Sequence, residues 1–225
     1  VGALLPQDVT RPGYTFEGWF DGNTRVEAIL TTDYGDKNYT AKWSIVNYEI
    51  TYELNGGVNS ADNPDSYSIN FGDIYLADPE RPGYVFLGWY KDAGLVTPAG
   101  SPAIPQGSTG PVTFYAKWRA ATFTVVFHPN LGSGTMPPQT FTVGEAKAPS
   151  VNTFTRASYS FVGWAKSFDG SKVYDDGATV RNLATTDGEQ VNLYALWTPV
   201  TYTISYHLNG GTNNPANPAS YTIES

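Results

Sequence analysis

Two histidines, His128 and His207, occupy equivalent places in two similar stretches, and histidine pairs are ordinary metal or proton-transfer groups. The corresponding residue in a third stretch is Glu53, and both histidines fall on the polar side of an alternating run, so their shared role reads as structural. Asp21, Asp92 and Asp169 sit beside glycines, where an aspartate usually hydrogen-bonds its own turn backbone. A calcium loop needs several oxygen ligands at alternating positions, and no Asp-x-Asp-x-Asp-Gly run exists. There is no cysteine, no Gly-x-Ser-x-Gly, no His-Glu-x-x-His and no P-loop. The expectation is a chain without catalytic residues, metal or cofactor. What remains is the aromatic complement of 6 Trp, 16 Tyr and 11 Phe, able either to close small cores or to stack on sugars.

The stretches that must position these residues are repeats. Arg11-Pro12-Gly13-Tyr14-Thr15-Phe16-Glu17-Gly18-Trp19 returns as Arg81-Pro82-Gly83-Tyr84-Val85-Phe86-Leu87-Gly88-Trp89, and then as Arg156-Ala157-Ser158-Tyr159-Ser160-Phe161-Val162-Gly163-Trp164. The closing tryptophans Trp43, Trp118 and Trp197 keep the same period of about 75 residues. Two complete units follow, 48–118 and 123–197, with the back part of a unit at 1–43 and the front part of another at 202–225. Linkers of four or five residues between them leave little freedom.

Each unit opens on alternation. Tyr48, Ile50, Tyr52 and Leu54 share one strand face, as do Phe123, Val125 and Phe127, and then Tyr202, Ile204, Tyr206 and Leu208. Asn55-Gly56-Gly57 reverses the chain, recurs as Asn209-Gly210-Gly211, and is loosened to Asn130-Leu131-Gly132-Ser133-Gly134. A second short run, such as Ser66-Tyr67-Ser68-Ile69, completes a hairpin. Arg-Pro-Gly-Tyr suits a type II turn feeding the next strand, and the third copy lacks its Pro-Gly pair, so its turn either changes type or loses rigidity. Alternation from Tyr84 to Trp89 predicts Tyr84 and Phe86 on one face, with Val85, Leu87 and Trp89 on the other. Thr24 to Leu30 admits a short helix, while the Pro and Gly of residues 98–111 forbid a long one in the next unit. The class is mainly β, α+β at most.

A net charge of -8 and a pI near 4.6 exclude the clustered cations that nucleic-acid backbones require. No apolar run long enough to span a membrane and no leader-like start occurs in the 225 residues, so no membrane insertion is expected.

Tyr-x-Leu-Asn-Gly-Gly, Arg-Pro-Gly-Tyr-x-Phe-x-Gly-Trp and Tyr-Ala-Lys-Trp, in that order within one period, resemble the Listeria-Bacteroides repeat found in internalin surface proteins. The resemblance covers nearly the whole chain. It implies tandem β-grasp-like units of a bacterial cell-surface or cell-wall protein, extracellular and non-enzymatic, serving as stalk, spacer or adhesive module. The alternative is a module whose aromatic surface recognises a glycan or a host surface protein.

The partial units suggest one partner more. Residues 202–225 correspond to the front of a unit and residues 1–43 to its back, so together they compose one unit. In one reading, Tyr202, Ile204, Tyr206, Leu208, Tyr221 and Ile223 mediate head-to-tail self-association by completing a sheet with another copy, giving a filament. In the other, the segment belongs to a longer covalent array whose neighbouring repeats complete it.

Overall fold

A computed structural model describes residues 2–225. All of its regular structure is strand, and no helix occurs among the described residues. Two compact units divide the chain: the first holds residues 2–81 and 86–118, the second Pro82–Val85 with Arg119–Ser225.

The first unit begins with β1 (Ala3–Leu4), β2 (Tyr14–Asp21), β3 (Thr24–Val26), β4 (Ala28–Ile29) and β5 (Thr40–Ile45). Residues 24–30 are therefore strand and not helix. Gly22 at φ +59 closes a two-residue turn between Asp21 and Thr24, and β3 folds back along β2 with Trp19 opposite Val26. β4 pairs with β1, and the β-branched Thr24, Val26 and Ile29 suit this extended path. β5 lies on the other side of β2.

A complete repeat follows: β6 (Tyr48–Glu53), β7 (Ser66–Tyr67), β8 (Tyr84–Tyr90) and β9 (Val112–Ala120). Their order across the sheet is β7-β6-β9-β8, with β6 and β9 parallel and Ile50 opposite Val112. The alternating face of β6 points inward. Ile50, Tyr67, Ile74, Trp89, Ile104, Phe114 and Ala116 are buried together, and Tyr52, Leu54, Phe86 and Trp118 pack against them.

The second unit repeats the plan with β10 (Thr122–His128), β11 (Gln139–Thr142), β12 (Ala146–Lys147), β13 (Tyr159–Ala165), β14 (Val180–Arg181) and β15 (Glu189–Pro199). The sheet order is β11-β10-β15-β13, with β10 and β15 parallel. Phe123, Val125, Phe127, Phe141, Phe154, Trp164 and Leu193 form its core. A last hairpin, β16 (Tyr202–Thr203) with β17 (Ser220–Tyr221), sets Tyr202 opposite Tyr221.

One strand face departs from simple alternation. Phe86 and Trp89 enter the same core with ring centroids 5.5 Å apart, while Leu87 is 46% exposed. The pairing registers of β2 with β5 and of β13 with β15 both slip at the glycine of Phe-x-Gly-Trp, between Phe16 and Gly18 and between Phe161 and Gly163. Gly18, Gly88 and Gly163 share φ near +130 (+135, +126 and +139), a region closed to side-chain-bearing residues. The glycine makes a β-bulge, and the extra residue turns the tryptophan onto the face of the phenylalanine.

Candidate functional site

The most repeated polar geometry joins the front of a repeat to its back. Asn55, at φ +49, turns its amide so that Nδ2 donates to the Ala116 carbonyl at 2.8 Å. Asn130, at φ +46, does the same to Ala195 at 2.9 Å. The closing tryptophans return the contact: Trp118 Nε1 donates to the Leu54 carbonyl at 2.9 Å and Trp197 Nε1 to that of Pro129 at 2.9 Å. A methyl group on Gly57 would lie 2.6 Å from Trp118 Cζ2, and one on Gly132 2.8 Å from Trp197 Cζ2. The loosened turn thus keeps Asn130 and Gly132 in their working places and replaces only the middle glycine, with Leu131 held at φ +68.

A second recurring geometry lies where one repeat meets the next. The Arg-Pro-Gly-Tyr turn has Gly13 at φ +77 and Gly83 at φ +79, and its carbonyl accepts from the following linker: Val46 N–H to Gly13 at 3.0 Å, Ala121 N–H to Gly83 at 2.9 Å. In the third copy Ser158 takes φ +62 and accepts from Val200 N–H at 2.8 Å, so the turn keeps its type and carries local strain instead. A methyl on Gly13 would meet Ile69 Cβ at 2.7 Å, and one on Gly83 would meet Val143 Cγ1 at 2.8 Å. The tyrosine after the turn also reaches forward: Tyr14 Oη donates to Asn70 at 3.1 Å and Tyr159 Oη to Glu224 at 2.7 Å.

One linker is held more firmly. Asp187 accepts both nitrogens of the Arg119 guanidinium, at 2.9 and 2.6 Å, and the Thr122 backbone N–H at 2.9 Å. The Arg119 hydrogen bonds, then that from Thr122, hold its carboxyl well below the usual carboxylate range. No sequence motif announced this pair, because its members are distant in the chain: Asp187 has a counterpart in Asp33, ten places before Trp43, but Ser44 and Thr198 stand where Arg119 does. The junction contacts did leave a trace: Ile69 and Val143 each stand two places after the aromatic of the second strand.

Of the residues whose types could do chemistry, His128 and Asp92 make contacts within the fold. His128 stacks on Tyr194 with centroids 4.6 Å apart, and its Nε2 lies 2.9 Å from Asn192 Oδ1. His207 is exposed in the front half of a repeat. Asp92 accepts the backbone N–H groups of Thr97 at 2.7 Å and Val96 at 3.2 Å, and the Thr97 bond leads in lowering its carboxyl. Asp21 and Asp169 are exposed in their turns. Among the described residues no three of His, Cys, Asp and Glu gather as a metal site would require. Trp89 and Trp164 are buried, and Trp118 and Trp197 pack against the same cores, which leaves no open indole platform in the complete repeats.

The six residues named for self-association all belong to the segment around the β16–β17 hairpin. Tyr202, Tyr206, Leu208, Tyr221 and Ile223 are exposed, and Ile204 is half-buried. Tyr202 and Tyr221 stack at 5.4 Å.

The model of the Listeria-Bacteroides repeat domain matches residues 2–42, 48–117 and 123–195. A putative membrane protein of Evansella cellulosilytica is 30% identical over 230 residues, which cover 97% of this chain and 33% of that protein. A putative Gly-rich membrane protein of the same organism is 30% identical over 92% of this chain and 23% of its own length. Internalin H of Listeria monocytogenes is 28% identical over half of this chain and 20% of its own. The chain thus spans a third or less of the length of these relatives. No solved structure matches it. No helix among the described residues is long and apolar enough to cross a membrane. With three matched segments that together take in most of its length, the chain belongs to the Listeria-Bacteroides repeat family.

Proposed function

We propose that this chain is a non-enzymatic structural segment of a bacterial cell-surface protein, a stiff extracellular stalk or spacer assembled from tandem repeats. The observation that carries the reading is the treatment of the linkers. At Val46, Ala121 and Val200 the linker backbone donates to the turn of the preceding repeat at 2.8 to 3.0 Å. A flexible string would leave such groups to water. The names of the relatives, putative membrane proteins and an internalin, support a place at the cell envelope. The sheet order, with first and last strands parallel, supports reading each complete repeat as β-grasp-like.

Amide hydrogen exchange on the native chain tests this. The amides of Val46, Ala121 and Val200 are expected to exchange as slowly as amides of the adjoining strands. Exchange at the rate of an unstructured linker at all three positions would remove the basis for a stiff spacer. An adhesive role toward glycan or host protein is a further outcome, seen as a change in tryptophan fluorescence on titration with a carbohydrate panel.

A further inference from the structure

We propose that Asn55 is a site of irreversible modification, conversion to aspartate and isoaspartate by water, which the folded repeat 48–118 holds closed and which opens when that repeat unfolds. Asn55-Gly56 is one of two Asn-Gly pairs in the chain, the other being Asn209-Gly210. In the first step the Gly56 backbone nitrogen gives up its proton to solvent base and attacks Asn55 Cγ. The Cγ–Nδ2 bond breaks, and the amide nitrogen leaves as ammonia. Water then opens the five-membered imide on either side, giving a carboxylate on the original backbone or a backbone lengthened by one methylene. Glycine favours the ring because no side chain crowds the attacking nitrogen.

Asn55 is exposed, so solvent base and water reach it, and what guards it is torsion. Its leaving group, Nδ2, donates to the Ala116 carbonyl at 2.8 Å. The Gly57 N–H donates to the Leu54 carbonyl at 3.0 Å and closes the turn, with Asn55 at φ +49 and Gly56 at φ +89. The Trp118 indole donates to the same Leu54 carbonyl at 2.9 Å and ties the turn to β9. Ring formation rotates both the Asn55 side chain and the peptide that follows it, so these bonds must open first. The rate in the folded protein therefore scales with the fraction of molecules in which the turn is open.

The other complete repeat carries the same guard without the reactive pair. Asn130, at φ +46, donates to the Ala195 carbonyl at 2.9 Å, but the residue after it is Leu131, whose side chain crowds the nitrogen that would attack. In the repeat that does react, the product no longer fits. A carboxylate at position 55 has no proton to donate, and it sets acceptor against acceptor at Ala116, which has no exposed surface. The longer backbone of isoaspartate displaces Gly57, where a single added methyl would already lie 2.6 Å from Trp118 Cζ2. A repeat that has opened and reacted closes less well afterwards, and the modification accumulates as a chemical record of opening.

Peptide mapping by mass spectrometry, on the 225-residue chain incubated at mildly alkaline pH with and without urea, tests the proposal. In urea the amide of Asn55 is expected to be replaced by carboxyl, as is that of Asn209, while Asn130 stays intact. Without urea, conversion at Asn55 is expected to slow by roughly a hundredfold or more, a bound set by local opening of the turn. Gly56→Leu is expected to abolish conversion at Asn55 in urea, and Leu131→Gly to create it at Asn130. Asn55→Asp, the product itself, is expected to speed exchange of the Ile50 and Phe114 amides by roughly tenfold, the loss of one hydrogen bond. Equal rates at Asn55 with and without urea overturn the proposal, because the fold then guards nothing. Conversion in the Gly56→Leu chain as fast as in the parent overturns it as well, and so does parental amide exchange in the Asn55→Asp chain, which would mean that the product fits.

Discussion

At the scale of single residues, the departures from the repeat motif show which positions need their residue. Leu131 holds φ +68 where the matching residue Gly56 holds φ +89, and its side chain is 70% exposed. The strain gains nothing from burial, so Leu131→Gly is expected to stabilise the second unit by about 1 kcal/mol. Urea unfolding midpoints of the two chains check this, and a lower midpoint for the glycine variant contradicts it. Tyr52 is a different case. Burial first, and then the nearby Asp65 carboxylate, push its phenol up to about 12. Because the folded value lies above the ordinary value near 10, its contribution is whole below pH 10 and is lost as pH rises toward 12. Base-induced unfolding of the first unit should therefore steepen between those limits. Tyr52→Phe, which cannot ionise, should flatten that part of the profile, and an unchanged slope would show that Tyr52 does not carry it.

At the scale of elements, the Asn-Gly-Gly turn is a meeting point for the two halves of a repeat as well as a reversal of direction. Gly56 is needed for its φ of +89 alone, and Leu131 shows that the position tolerates a side chain at some cost. Gly57 has no such φ, but a methyl there would lie 2.6 Å from Trp118 Cζ2 and 3.0 Å from the Glu80 carbonyl. Gly57→Ala is therefore expected to cost about 1 to 3 kcal/mol through overpacking, more than Gly56→Ala at about 1. Thermal melts of the two variants decide the order, and the reverse order would mean that the turn's backbone outweighs its contact with the indole. Composition around residue 56 announced a turn, yet the packing partner lies some sixty residues away and has no local signature. The strands of β6 and β10 were legible because alternation against a one-sided core is a period-two signal. The same signal misplaced Trp89 because the bulge at Gly88 adds one residue to the count. The short helix at residues 24–30 was an error of the same local kind: Arg25, Glu27 and Ala28 suit a helix, but the tight turn at Gly22 returns Thr24 along β2.

At the scale of the whole molecule, the two buried clusters have no member in common. One gathers Ile50, Trp89 and Phe114, the other Phe123, Trp164 and Leu193. Each is built from the two ends of its own repeat, brought side by side by the parallel pairs β6 with β9 and β10 with β15. A repeat array of this kind draws its stability from units and from the junctions between them, and it need not unfold in one step. Leu193 is fully buried in the second cluster, so Leu193→Ala removes its transfer energy and leaves a cavity, at about 2 to 5 kcal/mol. For a unit of this size that lowers the melting point by more than about 10 °C. Calorimetry on the variant is expected to show the second unit melting early while the first, reported by exchange at the Ile50 and Phe114 amides, keeps its parent temperature. Joint loss of both units in one early transition would show that the junctions bind the array into a single cooperative body. In that event the linker bonds at Val46, Ala121 and Val200 would count as part of one core, and the chain would resist unfolding as a whole rather than repeat by repeat.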